Sequence, residues 1–357
     1  MNKPEKLLPD QAFRRSTMSD VADAVGVSVS TVSHVLNGTR FVSEDTSRKV
    51  QQAIRRLKFK TNPIARNLRS GRSRLIGIVI NNIEKYLFVN VLRGIEKTAN
   101  SLGYQLSLMD SAEQKNMEIK NVESLYLRGA DGLIIAPTSY NCDYIKDLLP
   151  PNFPLVFVDR QPEKCIYDCV LLDNTEASYQ ATKHLLSRGY RKIGLISFNY
   201  HPTGKATGKD KTMLERVAGY KQALTEANIK VNPQLIGLAH GSSLVTSQLR
   251  NAETYTIMKH FLDLSVEAVL CGSSMAAIGA YTCLKDMAVK IPEDMGFISF
   301  DDDIWLSMIS PQITVMAQPG EAMGAVAAAR LFDRINGKEL NQESLRLKAK
   351  LLLRESC

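Results

Sequence analysis

The stretch Met18–Leu36, MSDVADAVGVSVSTVSHVL, decides how this chain is read. Val21, Ala22, Val25 and Val27 fit the inner face of a short helix and the turn after it. Val32, Val35 and Leu36 repeat at i, i+3 and i+4 and fit the inner face of a second helix. Gly26 stands where a helix C-terminus takes positive φ, and Ser28 stands where the next helix needs a cap. The outer face of that second helix carries Ser30, Thr31 and Ser33, weaker helix formers than a plain surface helix would use. Short hydroxyl side chains of this kind suit a helix that enters a DNA groove and bonds there. The pattern predicts a DNA-binding helix-turn-helix.

The same logic extends outward. Ser43-Glu44-Asp45-Thr46 predicts the start of a third helix, with two acids beside the positive end of its dipole. Its apolar stripe, Val50, Ala53, Ile54 and Leu57, carries it to about Leu57. Residues 1–17 are polar and aperiodic and read as a flexible arm. In KFKTNPIARNLRSGRSR, Pro63 can open a short helix and Gly71 can end it, but the helix between is too short to persist alone. Two readings stand side by side there: a basic linker, or a hinge helix that folds on DNA with Leu68 as a wedge between base pairs.

Charge follows the same division. Up to Arg74 the chain holds 15 basic and 6 acidic residues, whereas the remainder holds 30 and 31. A basic module joined to a neutral one suggests a polyanion reader coupled to something else. The opening residues lack the apolar core of a signal peptide, and no apolar run reaches the length of a membrane span, which points to the cytoplasm. Six scattered cysteines, with Cys165 and Cys169 the closest pair in sequence, form no metal-ligand spacing and read as reduced thiols.

Beyond Arg74 the pattern becomes alternating strands and helices: LIGIVI (75–80), YQLSLMD, GLIIAP and LVFVD, then KIGLIS (192–197), AVLCG (268–272) and MGFISFDD (295–302). Such alternation predicts parallel sheets covered by helices on both faces, here twice over. Ligands in these architectures bind at the carboxyl ends of the strands, so the cleft between the two halves is the expected site. The sequence holds no phosphate-cradling glycine loop, nucleophile elbow or metal motif. The expected class is therefore non-enzymatic, with neither cofactor nor metal.

Taken in order, DVADAVGVSVSTVSHVLNGTRFVSEDT, PIARNLRSG, IGIVINN, LRGIEKTANSLGY, ADGLIIAP, VFVDR, LLDN, HLLSRGYRKIGLI, ERVAGYKQAL, IPEDMGFISFDD and LLLRES resemble the LacI/GalR family of bacterial transcription repressors from about Met18 to Ser356. The resemblance implies an all-α head (18–62), a hinge helix (63–74) and an α/β core (75–357). That core would contain two doubly wound subdomains, as in type I periplasmic binding proteins. Three chain crossings would place one subdomain at about 75–173 and 302–330, the other at about 174–301 and 331–357. Val29 and Ser30 would open the recognition helix, with Thr31 and His34 on its groove face. Arg40 would approach DNA after that helix, either reading bases or only touching phosphate. Leu68 and Arg69 would serve the minor groove. In the cleft, Arg216 would clamp an effector opposite Asp159, with Leu87 and Phe88 as an apolar pair.

Departures from the family pattern sharpen the expectation. Relatives carry arginine where this chain has His34, which still offers a donor to a purine edge. An acid common in relatives is Ser274 here, and Asn-Pro becomes Lys85-Tyr86. Fewer acids, with Lys205, Lys209 and Lys211 near the rim, suggest an anionic sugar. The expected function is an operator-binding repressor that acts as a homodimer under a small-molecule effector. A regulator answering to a protein co-regulator and a sugar-binding transport protein are the alternatives.

Overall fold

A computed structural model describes residues 16–59, 72–200, 210–241, 247–338 and 341–357. It divides the chain into two units, one ending at Ser73 and one beginning at Arg74. The first contains α1 (Met18–Val25), α2 (Val29–Asn37) and α3 (Glu44–Arg56). Each start is capped by a hydroxyl: Thr17 accepts from the Asp20 N–H, Ser28 from Thr31 and Ser43 from Thr46. Gly26 ends α1 at φ 73°, a conformation costly for residues bearing a Cβ. Val21, Ala22, Val32, Val50, Ala53 and Phe59 are buried together, and this small core fixes the angle between the helices.

The second unit contains two six-stranded sheets built to one plan. The first comprises β1 (Leu75–Ile80), β2 (Gln105–Asp110), β3 (Gly132–Ile135), β4 (Leu155–Val158), β5 (Asp168–Leu172) and β11 (Ser344–Leu347), in the order β11-β5-β4-β3-β1-β2. The second comprises β6 (Ile193–Tyr200), β7 (Ile236–Gly241), β8 (Ala268–Cys271), β9 (Gly296–Phe300), β10 (Thr314–Ala317) and β12 (Lys350–Leu352), in the order β12-β10-β9-β8-β6-β7. All pairings are parallel except β10 with β12. The inner strands β1, β3, β4, β8 and β9 are short, nearly uninterrupted apolar runs because helices cover both faces of each sheet.

On the first sheet, α4 (Tyr86–Ser101) and α12 (Gly320–Ile335) cover one face through Phe88, Val91, Ile95, Met323, Ala327 and Leu331. The other face is covered by α5 (Lys115–Leu127) and α6 (Tyr144–Leu148). On the second sheet, α7 (Asn174–Ser187) and α8 (Lys211–Glu226) pack on one side. There α9 (Ser247–Asp263), α10 (Ser274–Asp286) and α11 (Ile304–Met308) pack on the other.

Two of the expected subdomain boundaries need correction. Residues 302–317, assigned from the resemblance to the first subdomain, belong to the second, because β10 pairs with β9 through Thr314↔Ile298. Residues 331–347 were expected in the second subdomain and belong to the first. The end of α12 buries Leu331 and Phe332 against the first sheet, and β11 pairs with β5 through Leu347↔Leu172. The chain therefore crosses at residue 173, at 318–319 and at 348–349.

Candidate nucleic-acid interface and effector cleft

On α2, Val29 and Ser30 are exposed at the first turn, and Thr31 and His34 are half-buried. The Ser28 hydroxyl lies 2.8 Å from that of Thr31 and 2.7 Å from that of Ser30, so the first turn presents a connected row of hydroxyls. His34 Nδ1 lies 2.8 Å from the Thr39 hydroxyl, a contact that fixes the ring and leaves Nε2 to point elsewhere. Arg40 is exposed in the loop beyond α2. Its neighbour Phe41, which sequence reasoning passed over, is 94 % exposed. Leu68 and Arg69 lie outside the described residues, as do Lys205 and Lys209.

The cleft is built at the carboxyl ends of the strands. Asp159 follows β4 at φ 70° and Asp301 follows β9 at φ 68°. Both side chains are thus held in left-handed backbone, a strained conformation that recurs at functional sites. The peptide N–H of each donates to the neighbouring strand, Asp159 to Val170 at 3.0 Å and Asp301 to Met316 at 3.1 Å. The two sheets thus present one strand-end carboxylate device twice.

Arg216, buried on α8, stands beside them. Its Nε donates to Asn174 Oδ1 at 2.9 Å and its Nη1 to the Gly272 carbonyl. The guanidinium stacks over Phe300, 4.3 Å from the ring centroid. Burial lowers its basicity, and Asp301 and Asp159 offset part of that. Burial likewise raises the Asp301 carboxyl above the ordinary range. The nearby Arg216 charge and bonds from Gln318 Nε2 (2.6 Å) and the Ser274 N–H (3.4 Å) pull the other way.

Leu87, Asp159, Arg216 and Ser274 line one cavity. Phe88 does not line it and needs correction. It sits one residue further along α4, rotated towards the sheet, and is buried against Val91 and Ile95. Sequence reasoning missed Arg160, Asp210, Asp301 and Gln318 on the same walls. The signal for Asp301 was present, since ISFD repeats the strand-then-aspartate pattern of VFVD. Lys85 reaches the cavity but is paired with Glu113 at 2.9 Å and with Asn81 Oδ1 at 3.0 Å.

The model for bacterial regulatory proteins of the lacI family matches residues 17–62, and that for a periplasmic binding protein-like domain matches 182–357. The transcriptional regulator RegA of Clostridium saccharobutylicum is 31% identical over 345 residues, covering 96% of this chain and 99% of that protein. The chain belongs to the lacI family of bacterial regulatory proteins. The repressor PurR of Pasteurella multocida is also 31% identical, over 96% of this chain and 98% of its own. The solved complex of the regulator CelR with cellobiose is 25% identical, with a TM-score of 0.67, covering 96% of this chain and 100% of that one. As a lacI-family protein, the chain is a DNA-binding transcription regulator. Among the described residues, no helix is long and apolar enough to cross a membrane, and no cluster of three metal-ligating side chains occurs.

Proposed function

We propose that this chain is a cytoplasmic, non-catalytic repressor that binds a near-palindromic operator as a homodimer and answers to an uncharged sugar in the cleft. The observation that carries the reading is Arg216 beside two left-handed aspartates on the chain that also bears the capped α2. Carboxylates accept from sugar hydroxyls, a guanidinium donates to them, and the Phe300 face stiffens the arginine. CelR, a relative of the same fold, was solved with cellobiose, which supports a sugar.

An uncharged effector fits better than the anionic one suggested by loop lysines. Lys85 is matched by Glu113, Arg160 by Asp210, and the Lys211 ammonium lies 5.6 Å from the Tyr140 ring. Calorimetric titration with neutral sugars and their acids tests this. Binding of the acids alone overturns it.

Each sheet ends in an edge strand with an exposed leucine, Leu108 on β2 and Leu238 on β7, and such edges ask to be covered. That supports a dimer whose two heads read half-sites through Val29, Ser30, Thr31 and His34, with Arg40 on phosphate or base. Leu68 and Arg69 would serve the minor groove at the centre, where a wedge costs a few kcal/mol of unstacking that added contacts offset. Mapping genomic binding sites tests the whole reading. Sites without two-fold symmetry would refute the dimeric operator, and unchanged operator affinity in Leu68→Ala would refute the wedge.

A further inference from the structure

A buried ion pair spans the cleft. Arg160, just after β4, comes from the first subdomain, and Asp210, just before α8, comes from the second. Arg160 Nη2 lies 3.3 Å from Asp210 Oδ2, with the two side chains only 4% and 3% exposed. Tyr140, also from the first subdomain, donates its hydroxyl proton to Asp210 Oδ1 at 2.8 Å and accepts the Thr212 N–H at 3.3 Å. Arg160 is held in turn, its Nη1 donating to the carbonyls of Pro137 and Thr138 at 3.3 Å each. Asp210 has a second task, because its Oδ1 caps α8 by accepting the Met213 N–H at 3.2 Å. Helix start and cross-cleft contact therefore depend on one carboxylate.

The space left between the walls in this arrangement is about 70 Å³. A cavity of roughly 150 Å³ is what accommodates benzene, and a pyranose has about twice as many heavy atoms. With Arg160 and Tyr140 drawn onto Asp210, the cleft is too small for a sugar.

We propose that Asp210 is an internal latch that opposes the effector: its bonds to Arg160 and Tyr140 hold the walls together, so an effector enters only by parting them. This rests on the reading of the cleft as the effector site. Apparent affinity then falls in proportion to the fraction of molecules with the walls parted. Asp210 thereby sets the effector concentration at which the regulator responds.

Two variants of the full-length chain test this. Tyr140→Phe removes one bond to Asp210 and keeps the ion pair. Asp210→Asn keeps a competent helix cap but removes the charge that Arg160 faces, which risks the fold. Tyr140→Phe therefore keeps the test decisive if Asp210→Asn fails to fold.

The first readout needs no ligand: hydrogen exchange in peptides 157–162 and 271–276, which lie on opposite walls and do not bond Tyr140. Loss of a hydrogen bond to a carboxylate should speed exchange there about tenfold while the strand centres stay unchanged. Exchange equal to that of the unaltered chain overturns the proposal. The second readout is calorimetry with ribose and cellobiose as neutral probes. Where the unaltered chain binds one, the variants should bind it about tenfold tighter, and equal or weaker binding overturns the proposal. If the unaltered chain binds neither, the uncharged-sugar reading loses its support while hydrogen exchange still decides the role of Asp210.

Discussion

Arg216→Lys keeps the positive charge and removes what is specific to a guanidinium, so it tests whether shape or charge holds the cleft. In the native cleft the side chain bonds Asn174 Oδ1 and the Gly272 carbonyl and lies flat on Phe300. A lysine ammonium can reach one of these acceptors but cannot serve both while stacking. One buried acceptor is then left without its donor, at about 1–3 kcal/mol, and the stacking loses about 1 kcal/mol more. The total of about 2–4 kcal/mol falls on a unit running from Arg74 to Cys357. At roughly 2 cal/mol/K of unfolding entropy per residue, a unit of that size should lose about 3–7 °C in Tm. Scanning calorimetry measures the shift, and titration with a bound sugar should show at least about tenfold weaker affinity. A variant melting within about 1 °C of the unaltered chain would show that charge alone suffices, against the geometric argument.

Three further variants probe the cleft, the recognition helix and the packing of α4 on α12. Asp301→Asn separates binding from stability. Burial raises the Asp301 pKa, so the stability it contributes is present in acid and lost as pH rises through that value. At neutral pH the asparagine variant should melt no lower than the unaltered chain, the gap closing as pH falls towards 4, while sugar binding measured by calorimetry weakens. His34→Ala should reduce discrimination at one base pair by about 1–3 kcal/mol in competition gel shifts, with affinity for random DNA unchanged. Gly94→Ala would drive a methyl group into the Glu321 carbonyl and the Ala325 nitrogen, where α4 and α12 meet backbone to backbone. The resulting loss, about 1–3 kcal/mol or more, should appear as a lower Tm with unaltered DNA affinity.

How far the sequence revealed this molecule depended on how local each signal was. The caps at Ser28 and Ser43, the left-handed Gly26 and the apolar stripes of the three head helices are settled within a few residues, and all were legible. Seven of the twelve strands, β1, β2, β3, β4, β6, β8 and β9, were legible for the same reason. Which sheet a strand joins is not local. TVMA (314–317) is a short apolar run that could extend either sheet, and only its pairing with β9 decides. Phe88 shows the same limit at the scale of one residue. Leu87 and Phe88 are equally apolar, yet the rotation of α4 sends the first to the cavity and the second to the core. Asp210 was hidden differently, because its partners Tyr140 and Arg160 lie 70 and 50 residues earlier in the chain.

The three crossings between the sheets lie side by side. Leu347, entering the third, pairs with Leu172, entering the first, and Lys350, leaving the third, pairs with Ala317, entering the second. Three neighbouring straps joining two stiff slabs behave as a door hinge: they permit bending about one line and resist shear and twist. Whatever molecule wedges or draws the slabs, the movement available is the same one-axis swing. The pocket can therefore change its chemistry through substitutions on either wall while the mechanical output delivered from the cleft stays the same.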